Sequence, residues 1–442
     1  MSQDLLTKAK AAVAAAQKRG AHGVRASVWR SRSGEVEWRD GKLDRLREST
    51  RMGLSVTLYV DGRYSSNSTS DLRETALDHF LDETVAATRV LAKDPHRKLA
   101  DPSRYGSPHG GDLDLYDEAG AGTISGADRR RVAQALYEAA RSAPGNQEII
   151  SVTTSGSDSV SESAMATSNG MEGTKRSTRF GLLADTSVRD DGARKPSGWG
   201  YAALRRRQGL PSIEAIGREA TRRALEGRKA KPEKSGRYAC IVENRVVSRL
   251  LSGLLGPLSG RAIQQKQSFL ADKLGQLITN ERLHITDDPL LPGGLASGTY
   301  DSEGMSTQRR PIFEAGVLRT FFFDTYYGSK LGKEPTTGGW SNLVIQPGER
   351  DLAALLQRMG TGILVTGFSG GNSNSATGDF SIGIRGQFVE GGKILRPVAE
   401  MNLSGNHLTF WRQLAELGSD VWIYSSNRTP SLRFDPVQFS GV

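Results

Sequence analysis

Six histidines and one cysteine are the residues with which this chain could grip a transition metal, and their spacing decides what they can do. A hydrolytic zinc site takes about three N, S or O protein ligands and keeps one position open for water, usually with a glutamate as general base. His22, His79, His96, His109, His284 and His407 lie so far apart that no two fall within five residues of each other. No helix can therefore present a histidine pair on one face, and Cys240 stands alone. Each histidine reads as a surface or core residue. No catalytic residue, metal ligand set or cofactor is expected from these types.

Three other chemistries are conceivable. Asp301, Glu303 and Asp379 could form an acid/base set, but turn capping or salt bridges with Arg309 and Arg310 is the expected role. The run Gly367-Phe368-Ser369-Gly370-Gly371-Asn372 has the glycines of an anion cradle but lacks the Gly-Lys-Ser/Thr ending and a following helix, so it reads as a mobile loop. No serine is expected at the Gly-x-Ser-x-Gly elbow of a serine hydrolase, and Ser252 and Ser259 read as ordinary helix-face residues.

The element that would have to carry a metal site lies within residues 238–276. Val242, Val246, Val247, Leu250, Leu251, Leu254, Leu255 and Leu258 recur every three or four residues, which predicts one apolar helical stripe. The opposite face carries Asn244, Arg245, Ser248, Arg249 and Ser252, while Gly253, Gly256 and Pro257 loosen or end the helix near Gly260.

The chain beyond this helix resembles the C-terminal half of the TldD/PmbA family, called modulators of DNA gyrase. The resemblance is carried by Ser268-Phe269-Leu270-Ala271-Asp272-Lys273-Leu274-Gly275, by 300–310 from Tyr300-Asp301-Ser302-Glu303-Gly304 to Arg309-Arg310, and by Ile312-Phe313-Glu314-Ala315-Gly316-Val317-Leu318. Gly378-Asp379-Phe380-Ser381, Glu390-Gly391-Gly392 and Arg396-Pro397-Val398-Ala399-Glu400 extend it. Gly53-Leu54-Ser55-Val56 and Asp61-Gly62-Arg63 carry it into the N-terminal part. The TldD branch has His-Glu-x-x-x-His on the preceding helix and a cysteine near the C-terminus. The PmbA, or TldE, branch lacks them, and this chain is similar to the second kind. The degenerate zinc-helix region is then Arg245, Ser248, Arg249, Ser252, Gly253 and Gly256.

The resemblance implies a metal-free subunit that forms a heterodimer with a TldD-like zinc peptidase. It would help enclose a cleft for small or unfolded peptides and perform no cleavage alone. Asp301, Glu303, Arg309 and Arg310 are the candidates for cleft-lining or partner-facing residues. A homodimer stays open. Two rival readings stand beside it: a basic module that binds DNA or a gyrase-associated protein, and a metal-independent hydrolase.

At 442 residues with 37% hydrophobic content and 51 glycines, the composition is that of a soluble protein of two or three domains with many turns. No apolar run reaches membrane-spanning length, the first residues predict an amphipathic helix rather than a signal-peptide core, and one cysteine suits a cytoplasmic setting. Lys and Arg exceed Asp and Glu by 59 to 49. Arg129-Arg130-Arg131, Arg205-Arg206-Arg207 and Lys175-Arg176 are nonetheless expected to be mostly solvated, and nucleic acid is not the expected partner.

The fold class expected is α+β. An N-terminal domain of mixed helices and antiparallel strands spans 1–230, with similar helix and strand content in 1–95 and 127–228. A β-rich metallopeptidase-like domain with a central amphipathic helix spans 231–442, the boundary falling in the charged, Pro-bearing segment 229–236. Helices are expected over 3–19, 72–93 (capped by Asp71), 127–142, 211–225 and 351–359, hairpin turns at Asp40-Gly41 and Asp61-Gly62, a polar loop over 65–70, and a connector over 93–126. Phe321-Phe322-Phe323 is expected on a strand with both faces covered.

Overall fold

The computed structural model describes residues 2–106, 111–122 and 124–442, so His109 lies outside the described residues. The fold is α+β, 26% helical and 39% strand. The chain opens with α1 (Ser2–Lys18), the strands β1 (Gly23–Arg39), β2 (Lys42–Val60) and β3 (Arg63–Thr69), and α2 (Glu74–Thr88). After a short α3 (Glu118–Ala121), the same order returns as α4 (Gly126–Arg141), β4 (Ile149–Thr167), β5 (Glu172–Val188), β6 (Ser197–Leu204) and α5 (Ile213–Glu226). The six strands form one antiparallel sheet in the order β3-β2-β1-β4-β5-β6, so the two segments join along β1 and β4.

The turns explain the hairpins. Asp40 and Gly41 both have positive φ, as do Asp61 and Gly62, which is the two-residue turn whose twist matches its flanking strands. The strands run longer than the sequence suggested. Residues 65–70, expected as a loop, mostly belong to β3, where Ser65–Thr69 pairs with residues 54–58 of β2. The second helix starts at Glu74, with Arg73 rather than Asp71 at its N-cap, and ends at Thr88. One face of the sheet is covered by α1 and α2, with Leu5, Ala9, Val24, Leu54, Leu58, Leu81 and Val85 in their shared core. Elsewhere the sheet is crossed by ion pairs: Arg129 Nε lies 2.5 Å from Asp158 Oδ1, and both side chains are buried.

Residues from 236 onward build the second part. In chain order they form β7 (Gly236–Val242), α6 (Val247–Leu255), α7 (Gly260–Gln264), β8 (Ile285–Asp287), β9 (Arg310–Glu314), β10 (Val317–Leu318), α8 (Thr325–Leu331), β11 (Leu343–Ile345) and α9 (Leu352–Met359). They continue with β12 (Gly362–Ser373), β13 (Asp379–Glu390), β14 (Lys393–Asn406), α10 (His407–Phe410), β15 (Leu414–Leu417), β16 (Asn427–Arg428) and β17 (Leu432–Ser440). One sheet has the order β14-β13-β12-β7-β17-β15, and β14 also pairs with β17, which closes five of its strands into a barrel. A smaller sheet runs β10-β9-β8-β11-β16.

Two sequence expectations are corrected here. Val242 belongs to β7 and Val246 to the turn after it, so the helix begins at Val247 and is shorter than its apolar repeat suggested. A strand buried on both faces can carry the same apolar residues as a helix, and only tertiary context separates them. Phe321, Phe322 and Phe323 lie in extended chain where only Phe322 makes a bridge, to Ser259. All three are buried within the chain's own core.

Candidate functional site

Helix α6 sits where the chain leaves β7. Val247, Leu250, Leu251, Leu254 and Leu255 are its buried stripe and share one core with Cys240, Val242, Phe380, Trp411 and Phe434. The other face is open: Arg249 and Ser252 are exposed, and Ser248, Gly253 and Gly256 are half-buried. Ser252 Oγ donates to the Arg249 carbonyl at 2.7 Å, and Arg249 Nη2 reaches the Gly371 carbonyl at 3.4 Å. Arg245 points elsewhere, into the junction between the two parts. Its guanidinium stacks over Trp199 at 3.8 Å and stands 5.0 Å from Trp422, pairs with Glu219 at 3.1 Å, and donates to the Trp199 carbonyl at 2.7 Å. Burial, reinforced by neighbouring Arg223, pulls it down to about 10. Glu219 and Glu243 also hold Arg223, so the junction is knit by a buried charge network.

The histidine nearest α6 comes from far along the chain. His407, 1% exposed, faces Gly253 so closely that a Cβ there would stand 2.4 Å from its Nε2. The Trp411 indole N–H donates to His407 Nδ1 at 3.1 Å. That bond leaves the ring proton on Nε2, which then donates to Ser373 Oγ at 3.0 Å. Burial lowers the ring to about 4. Stacked on Phe269 and tilted against Phe380, His407 is a neutral core residue. It can neither ligate a metal through an engaged nitrogen nor take a proton from Ser373.

The scaffold class implies zinc, and the donor set does not fit it. Among the described residues no three His, Cys, Asp or Glu side chains are grouped to hold a metal ion. Cys240 is buried on β7, where burial pushes its thiol well above the usual range.

Asp301 and Glu303 come together, and they are joined by Lys175, which the sequence offered only as part of a basic cluster. Asp301 Oδ1 accepts the Glu303 and Met305 amides at 2.9 and 3.0 Å, while Oδ2 is buried without a hydrogen-bond partner among the described residues. Lys175 Nζ donates to the Tyr300 carbonyl at 2.6 Å and lies 3.9 Å from that ring's centroid. Glu303 accepts the Thr325 amide and hydroxyl at 2.8 and 2.9 Å. Burial raises both carboxyls and lowers the lysine.

The salt bridges expected with Arg309 and Arg310 do not form: Arg309 lies 3.6 Å from Asp288, and Arg310 pairs with Asp287 at 3.0 Å. Arg310 also lines a groove of about 560 Å³ with Met305, Phe321 and Phe323. Asp379 is elsewhere, exposed and bonded to Asn406 and Thr377. The three carboxylates therefore do not form one site.

The glycine-rich run is neither a mobile loop nor an anion cradle. It lies in β12, where a bulge between Ser369 and Asn372 absorbs the positive φ of Gly370 and Gly371. Gly367-Phe368-Ser369-Gly370-Gly371 does fit Gly-x-Ser-x-Gly by letter, against expectation. Ser369 is nonetheless in a strand opposite Gly383, with no strand-to-helix elbow.

In the basic clusters Arg130, Arg131, Arg206 and Arg207 are exposed, as expected, while several members are held by the fold or by a neighbour. Arg129 is buried on Asp158, Arg205 donates to the Thr178 and Leu295 carbonyls, Arg206 pairs with Asp114, and Arg176 lies over Tyr116. Sequence reasoning missed Trp199, Trp422, Ser373 and Trp411. For Trp199, Trp422 and Ser373 the signal is contact between segments far apart in the chain, which no local spacing carries, whereas Trp411 stands four residues after His407 and that spacing is open to reading.

Three successive family models match the chain: PmbA/TldA metallopeptidase domain 1 over 26–88, the central domain over 121–228, and the C-terminal domain over 235–441. Fold and matches together define a metallopeptidase-type scaffold. Among solved structures, a Bacteroides thetaiotaomicron protein described as a candidate modulator of DNA gyrase is 41% identical at a TM-score of 0.95, with 99% of this chain and 98% of that one covered. The metalloprotease PmbA of Escherichia coli O157:H7 is 28% identical over 95% of this chain and 92% of its own length. TldE from Thermococcus kodakarensis, 19% identical with a TM-score of 0.86 over 98% of this chain and all of that one, shares the fold. The chain belongs to the TldD/PmbA family.

Proposed function

We propose that this chain is the TldE-like, non-catalytic subunit of a heterodimer whose other member is a TldD-like zinc peptidase. The observation that carries this reading is the face of α6. That face carries Ser248, Arg249, Ser252 and Gly253, which by the family resemblance correspond to the catalytic branch's metal helix, and the nearby His407 has both ring nitrogens engaged. A relative from Saccharolobus solfataricus, 27% identical over 46% of this chain, is named as a zinc metalloprotease TldD homologue and illustrates the partner's kind.

The pair acts on small or unfolded peptides in a shared cleft. Arg309 and Arg310 face that cleft, and Asp301 and Glu303 fix the segment that carries them. The interface is of obligate size, large and partly apolar. The complex works in the cytoplasm, where a single unpaired cysteine is stable. Among the described residues no helix is long and apolar enough to cross a membrane.

The test is co-expression with a partner bearing His-Glu-x-x-x-His, followed by light scattering and turnover of an unstructured peptide. A 1:1 complex that cleaves peptide and stops on chelation, beside a silent isolated chain, is expected. Chelator-resistant cleavage by the isolated chain, or failure of the two to associate, would overturn the reading.

A further inference from the structure

Five arginines surround one polar cavity of about 410 Å³ on the second part of the chain, where β15, β17 and α9 meet. They come from separate segments: Arg282 from the loop before β8, Arg350 from the chain just before α9, Arg358 from the end of α9, Arg412 from the turn after α10, and Arg433 from β17. At the base, Glu416 is shared by three of them. Arg350 Nη1 and Arg358 Nε reach its Oε1 at 2.8 and 3.0 Å, and Arg433 Nε reaches its Oε2 at 2.9 Å.

Arg433 and Glu416 are largely buried, at 15% and 14% side-chain exposure, so the base of the cavity is fixed. Arg282 and Arg412 have no carboxylate partner among the described residues. Their polar contacts are the Asn280 side-chain oxygen at 3.3 Å and the Leu277 carbonyl at 3.5 Å. Among the described residues, Glu416 and Asp435 are the only carboxylates lining the cavity, which leaves five arginines less two carboxylates, a surplus of three positive charges.

Such a surplus is costly to hold together without a counter-anion, and converging guanidinium forks match the oxygens of a phosphoryl group two at a time. Leu414 and Ala415 are the apolar lining, and no aromatic ring is present among the described lining residues, so nothing there would stack on a base. A concave site of this size suits a compact polyanion better than the convex backbone of a duplex.

We infer that this arginine-lined cavity is a binding site for a small multivalent phosphate compound, held by Arg282, Arg350, Arg358, Arg412 and Arg433. The inference is independent of the proposed pairing with a peptidase subunit, because it requires only this chain.

Isothermal titration of the full chain with tripolyphosphate at fixed ionic strength tests it, with citrate as a non-phosphate polyanion and a short DNA duplex as comparators. Saturable 1:1 binding of tripolyphosphate is expected, at least about tenfold tighter than citrate. The double variant Arg282→Ala/Arg412→Ala removes exposed side chains without touching an ion pair and should weaken binding at least about tenfold, each tenfold being about 1.4 kcal/mol. Arg130→Ala, an exposed arginine on α4, should leave it unchanged. Absence of saturable binding, equal affinity for citrate, an unaffected double variant, or duplex DNA binding through the same arginines in place of tripolyphosphate would each overturn the inference.

Discussion

The two parts of the molecule solve burial differently. The N-terminal sheet divides its apolar side chains among three clusters, the largest under α1 and α2, and places charge elsewhere on the sheet, as at Arg129, Asp158 and Glu48. The second part gathers α6, the barrel strands and the aromatic residues from Phe269 to Phe439 into one large core, with only a small satellite of Ile241, Leu355, Met359, Leu364 and Val389 under α9, and the large core holds the neutral His407 beside its helix. The contrast shows where each kind of change will register. Charge removal should be felt in the sheet and volume loss in the barrel.

The largest effect expected from breaking this contrast is Phe434→Ala. The ring is fully buried against Phe410 and Trp411, and its loss should cost about 4 kcal/mol in denaturant unfolding. Asp158→Ala should cost about 3 kcal/mol, because buried Arg129 loses its nearest carboxylate. A cost within experimental error would mean that the sheet does not depend on that pair.

His407 gives the barrel a pH signature. Its folded value of about 4 lies below the ordinary 6.5, so the unfolded chain binds more protons between these values. Its contribution is therefore fully present above pH 6.5 and is lost as pH falls toward 4, by about 3 kcal/mol at most. His407→Phe should flatten that part of a stability–pH profile.

Gly253→Ala places a methyl against the His407 ring and should cost about 2 kcal/mol, with a displaced imidazole signal in NMR spectra. The smallest effect belongs to Ser125→Ala at the capping box of α4, about 1 kcal/mol in the same unfolding assay.

The sheet is the more legible region in the sequence. Alternating apolar residues and the Asp-Gly turns mark its strands, and Asp40-Gly41 and Asp61-Gly62 adopt the backbone those residues favour. Lengths are less legible, since β3 and most of β4 are rich in Ser and Thr, whose fit to a strand depends on the neighbours they pair with. The amphipathic helix is visible as a stripe, but its start is not, because Val242 continues the same repeat while pairing in β7.

At the site, the scattering of the histidines can be read from spacing alone. Most of what holds His407 cannot, for Ser373, Gly253 and Phe269 converge on it only in the folded barrel, while Trp411, four residues on, is a local neighbour. Lys175 reaches Asp301 and Tyr300 by the same kind of long-range contact.

The central claim is that the α6 face of this chain does not hold the zinc of its family. Metal analysis of the purified chain, alone and in complex with a partner bearing His-Glu-x-x-x-His, measures that directly. Substoichiometric zinc on the isolated chain and one zinc per heterodimer, lost when the partner's histidines are replaced, is the predicted result. One tightly held zinc on the isolated chain, with peptide cleavage that depends on it, would contradict the account.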